Sequence, residues 1–280
     1  MQIENETPFD VIAMPGYDPD GREAVTVVAK GTFSIADGRD PEPLGPEDRL
    51  PIAMADEYWG VPAASSVKVE SDLAPFKPFA DLVLVGHGFD PRGRATKKAS
   101  VSFSVGRWSK SATVSSSEAM DAIPLHHLER LSGGVPWLRT ARPRSGFGFY
   151  PKQCEPRIAF AGTYDEKWRK ERSPFLPEDF DFRFFQVGFP DLVCDSYLRG
   201  GEPIRIRGAA PGQPIETRVP AIAVEVEAFL ERTEQKLTAN LDTLVALPDE
   251  HKLVLVWRAF TLIGGAAAGV RGFRIRGLNR

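Results

Sequence analysis

The sequence predicts a mainly β protein: twisted antiparallel sheets packed as a β-sandwich, with long loops and one or two short helices. Alternation of apolar and polar residues, which is typical of strands, recurs along the chain. The 25 glycines and 24 prolines are spread through the sequence as turn residues. Long stretches with the period of an amphipathic helix are absent. No flexible linker divides the chain, so we expect a single β-rich domain over residues 1–280.

The strongest strand signals lie in four regions of the chain. Residues 25–35 alternate as a half-buried strand, and residues 81–86 read as a short buried strand. Residues 101–114 predict a hairpin around a Gly-Arg turn, and residues 241–260 predict another around a turn that begins with proline. These regions together predict the antiparallel pairing of the sheets.

Two further elements are predicted from weaker patterns. A short helix is expected after Ser117, where the sequence reads SEAM. The tail over residues 264–280 is rich in small residues and then basic. We expect this tail either to fray or to add an edge strand through Phe273 and Ile275.

Composition narrows the class of protein. The 35 basic and 38 acidic residues give a net charge of −3, which argues against non-specific nucleic-acid binding. Cys154 and Cys194 are isolated in the sequence, which favours free thiols in a reducing compartment. We find no signal-peptide pattern and no apolar run long enough to span a bilayer. These observations predict a cytoplasmic protein that does not contact a membrane.

The most distinctive segment is residues 163–186, TYDEKWRKERSPFLPEDFDFRFFQ. One Tyr, one Trp and five Phe lie among six acidic and five basic residues. Charged groups are costly to bury unless paired, and exposed aromatic patches usually mark contact surfaces. The segment therefore predicts a docking surface, although the aromatic residues could instead fill a core beneath a loop.

A helix is predicted at the start of this segment. Thr163 and Glu166 have the spacing of a capping box, so we expect a helix over about residues 164–172. Tyr164, Trp168 and Arg172 would share one face of that helix. The later phenylalanines alternate as in a strand or an extended arm.

A second aromatic and charged block covers residues 57–60 and 70–78. It can be read as a β connection held extended by its prolines or as a further part of the same contact surface. We take the second interpretation. The predicted partner-binding residues are Tyr58, Trp59, Phe76, Lys77, Tyr164, Trp168, Arg172, Phe175 and Phe180.

Catalytic signals are weak. His126 and His127 are adjacent but would point to opposite faces of a strand, so we expect neither a metal site nor a cofactor. Paired carboxylates form the best enzymatic pattern, and with aromatic platforms they would suit a carbohydrate-active β-sandwich enzyme or binding module. This alternative depends on Asp165, Glu166, Glu178, Asp179 and Asp181.

Six segments, in order along the chain, carry a resemblance to a known family. They are QIENETPFD at Gln2, VVAKGTFSI at Val27, ADEYWGVPAASSVKVESDLAPFKPFADLVLVGH at Ala55, GTYDEKWRKERSPFLPEDFDFRFFQ at Gly162, YLRGGEPIRIRG at Tyr197 and HKLVLVWRAF at His251. These segments resemble domain-of-unknown-function family 2169, a bacterial family encoded with type VI secretion systems. The resemblance implies a non-enzymatic adaptor or chaperone that binds a toxic effector and helps load it onto the spike protein of the secretion system.

Overall fold

The computed structural model describes residues 1–18, 20–62, 65–125, 146–210, 214–230, 233–263 and 269–279. These residues form a mainly β structure with one α-helix, several short 3-10 helices and long loops. The strands are β1 (Gln2–Asn5), β2 (Asp10–Tyr17), β3 (Glu23–Ser34), β4 (Glu57–Tyr58), β5 (Val67–Val69), β6 (Asp81–Leu84), β7 (His87–Gly88), β8 (Thr96–Val105), β9 (Trp108–Met120), β10 (Ile123–Pro124), β11 (Pro203–Arg207), β12 (Ile215–Arg218), β13 (Ile222–Leu230), β14 (Glu234–Thr238), β15 (Asn240–Leu247), β16 (Lys252–Leu262) and β17 (Val270–Asn279). Helix α1 covers Glu166–Glu171, and the 3-10 helices are Arg157–Ala161, Phe182–Phe185, Pro190–Leu192 and Pro248–Glu250.

A five-stranded central sheet, in the order β2-β3-β16-β15-β6, organises the molecule. Strands β3 and β16 are antiparallel along their whole length, and β6 joins the far edge in parallel with β15. The strand predicted over residues 25–35 is confirmed as β3, but the expectation that it would be half-buried is wrong. Every residue of β3 between its two ends is buried, because the central sheet is covered on both faces.

The first face of the central sheet packs into the main hydrophobic core. This core also receives the inner side chains of two four-stranded sheets, β12-β11-β8-β9 and β1-β17-β13-β14. Trp257 of β16 lies near its centre and stacks on Phe9 with ring centroids 5.1 Å apart. Phe103 and Phe273 bring the other two sheets to the same core, where both are fully buried. The predicted fold class, mainly β with several antiparallel sheets, is therefore confirmed.

The second face of the central sheet has its own smaller apolar cluster. Val28, Val254 and Val256 project from β3 and β16 on this side. They are covered by connecting segments, with Leu50 and Phe149 packed against them. Successive side chains of a strand point to opposite faces of the sheet. Val254 and Val256 of β16 therefore face the smaller cluster, while Trp257 faces the main core.

Both predicted hairpins are confirmed. Strands β8 and β9 pair from Val105 and Trp108 outward, around Gly106 with a φ of 57°. Strands β15 and β16 pair on either side of the 3-10 turn Pro248–Glu250, which His251 closes in the left-handed region with a φ of 53°. Proline pre-sets the backbone angle at the start of that turn.

Two weaker predictions are wrong. The SEAM segment is not a helix but the end of β9, paired back to β8 at Met120. The tail does not add an edge strand, because β17 lies between β1 and β13 in the interior of its sheet. Its Phe273 and Ile275 are fully buried, which strongly favours that inner position. Residues 264–268 and 280 lie outside the described part of the chain.

Candidate functional site

A set of phenylalanine rings forms a continuous, partly exposed surface. Each ring is half-buried, and neighbouring rings meet with centroids between 5.4 and 6.2 Å apart. Most of these contacts are edge to face or tilted, which is the geometry that aromatic pairs prefer. We call this surface the phenylalanine cluster; its members are Phe76, Phe180, Phe182, Phe184, Phe185 and Phe260.

The cluster is built on a 3-10 turn, not on the extended arm that the alternation predicted. The Asp181 side chain accepts a hydrogen bond from the Arg183 backbone at 2.8 Å and caps the turn Phe182–Phe185. A 3-10 helix has three residues per turn, so Phe182 and Phe185 fall on the same side, with ring centroids 6.2 Å apart. The turn therefore gathers rings that an extended arm would have separated onto two faces.

Helix α1 precedes the cluster and begins later than predicted. Its N-cap is Asp165, whose carboxylate accepts a hydrogen bond from the Trp168 backbone at 2.8 Å. The predicted capping box is wrong, because the Thr163 hydroxyl donates to Asp179 at 2.7 Å instead. Glu166 pairs with Arg169 across one turn of the helix. The helix thus starts at Glu166, and Thr163 links its entrance to the loop before the phenylalanine turn.

A second group of side chains, three of them aromatic, lies beside the helix. Its members are Tyr164, Trp168, Arg172 and Phe175. The Tyr164 and Trp168 rings meet edge to face at 4.7 Å. The indole Nε1 of Trp168 donates to the Phe175 carbonyl at 2.9 Å, and Arg172 donates to the carbonyl of Leu176. Trp168 is half-buried, whereas Tyr164 is 53% exposed. Trp168 and Arg172 therefore brace the turn that follows the helix, and Tyr164 is the more accessible ring.

Trp59 lies at a cavity of about 440 Å³ between the second face of the central sheet and residues 50–59 and 68–72. Its ring is 37% exposed, with the Lys68 ammonium 5.7 Å from the ring centroid. Met54 is 60% exposed and lines the same cavity, so Trp59 and Met54 give it an apolar rim. Tyr58, which precedes Trp59 in the chain, is half-buried, and burial raises the pKa of its hydroxyl.

Lys77 is not a surface contact, so its assignment to partner binding is wrong. Its side chain is 3% exposed, and its ammonium donates to Asp81 at 2.8 Å and to Thr243 at 2.9 Å. Asp81 also accepts the backbone amides of Val187 and Gly188. Lys77 and Asp81 therefore anchor the end of the phenylalanine turn to the central sheet from within.

More ion pairs lie beneath this surface, and the sequence reasoning missed them. Lys30 of β3 donates to Asp72 at 2.7 Å, and both side chains are almost inaccessible. Charged residues are rarely buried unless paired. A sequence signal existed for Arg258, because it is the charged residue within the otherwise apolar stretch 253–260 of β16. The remaining buried pairs are Arg157 with Glu70 and Arg258 with Asp242.

Four of the five carboxylates of the enzymatic alternative have structural partners. A hydrogen bond from the Thr163 hydroxyl lowers the pKa of Asp179, and a hydrogen bond from Arg183 lowers the pKa of Asp181. A general acid at neutral pH needs a raised pKa, so these two groups do not suit that role. Asp165 caps α1 and Glu166 pairs with Arg169, while Glu178 is exposed.

Within the described residues, His, Cys, Asp and Glu side chains form no group of three or more that could hold a metal ion. His126 and His127 lie outside the described residues. Among the described residues, Cys154 and Cys194 are buried and form no disulfide, and burial raises the pKa of the Cys194 thiol.

The structure brings some of the predicted residues together and separates others. Phe76 and Phe180 belong to the phenylalanine cluster, so parts of the two aromatic blocks meet as expected. The neighbouring group at α1 contains Tyr164, Trp168, Arg172 and Phe175. Trp59 lies at the cavity, and Tyr58 is half-buried next to it in the chain. Four members of the cluster were absent from the predicted set: Phe182, Phe184, Phe185 and Phe260.

The fold and this site define a mainly β protein that carries an aromatic surface over one face of its central sheet. Residues 20–123 and 121–258 match the family described as an uncharacterized protein conserved in bacteria (DUF2169), and the chain belongs to this family. Neither a curated protein nor a solved structure matches the chain. In the part of the chain that the structure describes, no helix has the length and apolar character needed to cross a membrane.

Proposed function

We propose that this protein is a non-enzymatic adaptor or chaperone of the bacterial cytoplasm that binds a toxic effector and helps load it onto the spike of a type VI secretion system. The observation that carries the binding role is the phenylalanine cluster, a connected set of rings that are all partly accessible. The resemblance of six sequence segments to a family encoded with type VI secretion systems supports the assignment of the partner as an effector.

Partly exposed aromatic rings suit protein capture on energetic grounds. Burying the remaining apolar area of a ring favours association by about 25 cal/mol for each Å² removed from water. Aromatic anchors at the centre of an interface often cost about 2 kcal/mol or more when truncated. The cluster concentrates such anchors in one place, and Tyr164 extends the accessible aromatic area near α1.

The surface is held rigidly, which lowers the entropic cost of binding. Phe260 belongs to β16, so one ring of the cluster is fixed by the central sheet itself. Gln186, just after the phenylalanine turn, donates its side-chain amide to Asp81 at 2.9 Å. Gly162, which follows the 3-10 helix Arg157–Ala161, packs closely against the loop before the phenylalanine turn. Its φ is 75°, and a Cβ at this position would lie 2.9 Å from Asp179 and Pro177. A chaperone action follows if the bound effector segment is unstable alone, since binding stabilises the state that it selects.

The test measures binding of the effector encoded beside this gene. Co-expression followed by size exclusion shows whether the complex forms. Calorimetry with the two separately purified proteins then measures the affinity. Phe180→Ala should weaken binding by about tenfold or more, equivalent to about 1.4 kcal/mol. The matched control is Phe229→Ala, which truncates a half-buried phenylalanine of β13 on another sheet. Control binding should stay within about twofold, and thermal unfolding should confirm that both variants fold.

Two outcomes would overturn the proposal. If Phe180→Ala and Phe229→Ala weaken binding equally, the loss is not specific to the phenylalanine cluster, and the cluster is not the interface. Turnover of a glycan or peptide by the purified protein, eliminated by changing one of the carboxylates, would establish an enzyme instead. Secretion then tests the loading step: a deletion strain should regain effector export with the wild-type gene and not with Phe180→Ala.

A further inference from the structure

The outer face of the β12-β11-β8-β9 sheet carries aligned rows of arginine and hydroxyl side chains. Arg205 lies opposite Glu216 on one side and Ser104 on the other, and Arg207 lies opposite Ser102. The alternate residues point inward, where Ile204 and the other apolar side chains of these strands enter the main core. The rows continue into β9 through Ser109, Ser111 and Thr113.

This face is accessible and positively charged. The side chains of Arg205, Arg207 and Arg218 are 60%, 63% and 65% exposed. Two carboxylates lie beside these arginines. The Oε1 of Glu216 is 3.8 Å from Arg205 and 3.4 Å from Arg207. Asp40, from the loop after β3, pairs with Arg218 and lines the same depression as Arg205 and Glu216. A locally basic face thus occurs on a chain whose net charge is −3.

The arginines of this face keep donor capacity for another molecule. A guanidinium group has five N–H donors in a planar fork, which matches a carboxylate in two parallel hydrogen bonds. Among the described residues, Arg205 donates no hydrogen bond, because its approach to Glu216 at 3.8 Å is too long for one. We propose that this face, the arginine face, binds an acidic segment of a partner protein. Its arginines receive carboxylates, and the serine hydroxyls hydrogen-bond to the backbone of the segment.

The arginine face and the phenylalanine cluster lie on opposite sides of the molecule. The inner side of the β12-β11-β8-β9 sheet packs on the main core, which the first face of the central sheet closes from the other side. Phe260 points from β16 to the second face, away from that core, because it alternates with Trp257 and Ala259. An acidic partner and a client on the cluster therefore do not compete for space, so the inference goes beyond capture of a single effector.

The probe is a synthetic, fluorescently labelled peptide of repeated Glu-Ser, and binding is followed by fluorescence anisotropy at low and high salt. Arg205→Gln with Arg207→Gln should weaken peptide binding by about tenfold. The charge-matched control is Lys167→Gln with Arg169→Gln on α1, which removes two exposed charges that do not belong to this sheet. The control should bind within about twofold of the wild type, and binding should weaken with salt. No effector is needed, so the result is independent of the adaptor assignment.

Three outcomes would overturn the inference. Equal weakening in the two double variants would show a response to net charge alone. If a Gln-Ser peptide binds as tightly as the Glu-Ser peptide, the arginine face does not recognise carboxylates. Oligothymidylate that binds more tightly than the acidic peptide would make the arginine face a nucleic-acid site. Because the exchanged side chains are exposed, unchanged thermal unfolding should accompany each variant.

Discussion

The rings of Phe76 and Phe182 meet edge to face, with their centroids 5.4 Å apart and their planes inclined at 84°. This contact joins two stretches of sequence that are distant in the chain. Phe76 also reaches Phe260 of the central sheet at 6.1 Å. The candidate contact surface is therefore a property of the folded molecule and of no single segment.

The first prediction concerns the helix cap. Asp165→Ala should destabilise α1 by about 1 kcal/mol, because its carboxylate holds the Trp168 amide. Hydrogen exchange of the amides of Glu166–Glu171 measures this directly. Thr163→Ala serves as the comparison, since its hydroxyl binds Asp179 and not the helix. Faster exchange in the Thr163 variant than in the Asp165 variant would contradict the assigned cap.

The second prediction concerns Tyr164. Because this ring is 53% exposed, Tyr164→Ala should lower effector affinity by about tenfold while leaving the melting temperature nearly unchanged. Trp168→Ala should weaken binding too, but it should also loosen the following turn, because its indole donates to Phe175. Calorimetry and thermal unfolding separate the two effects. A Tyr164 variant that melts early and binds normally would make Tyr164 a structural residue.

The third prediction concerns acid. The pKa of Asp179 is lowered by hydrogen bonds from the hydroxyl and backbone of Thr163. A carboxylate whose pKa is lower in the folded state stabilises the fold above its unfolded pKa, about 4, and this contribution is lost as pH falls through the folded value. An NMR titration of the Asp179 carboxyl carbon should give a pKa below that of an unperturbed aspartate. Thr163→Val should raise that pKa, and an unchanged titration would refute the hydrogen bond.

The fourth prediction concerns the buried ion pair between Lys77 and Asp81. Lys77→Ala should destabilise the protein by about 3 kcal/mol, because Asp81 is left buried without its cation. Urea unfolding measures the change. Lys170→Ala is the exposed control, and it should alter stability by no more than about 0.5 kcal/mol. Similar losses in the free energy of unfolding of the two variants would mean that the Lys77–Asp81 pair stabilises the fold no more than an exposed lysine does.

The strands were predictable from sequence where alternation was clean. Ile204 and Ile206 alternate with arginines, and the structure buries the isoleucines and exposes the arginines. The same rule failed for β3, because Lys30 and Thr26 read as solvent-facing although both are buried. Lys30 is buried against Asp72, and Thr26 against the Pro75 carbonyl. A single strand cannot reveal a partner that a distant loop supplies.

The candidate site was predictable in composition and not in geometry. The aromatic density of residues 163–186 correctly marked an unusual segment, but its alternation suggested an arm where the chain forms a 3-10 turn. The capping box failed for a similar reason: Asp179, which takes the Thr163 hydroxyl, lies beyond the helix. Lys77 looked like part of a charged surface because its counter-ion, Asp81, belongs to a buried strand.

The stacking of the layers has a mechanical consequence. The phenylalanine cluster and the arginine face lie at the two ends of a line that crosses the central sheet, the main core and the β12-β11-β8-β9 sheet. Tension along that line acts at right angles to the strands. It loads the side-chain contacts between layers, each of which is weak, and leaves the hydrogen-bond ladders within the sheets unsheared. Under pulling, the molecule therefore opens between its layers before any strand is drawn out of its sheet.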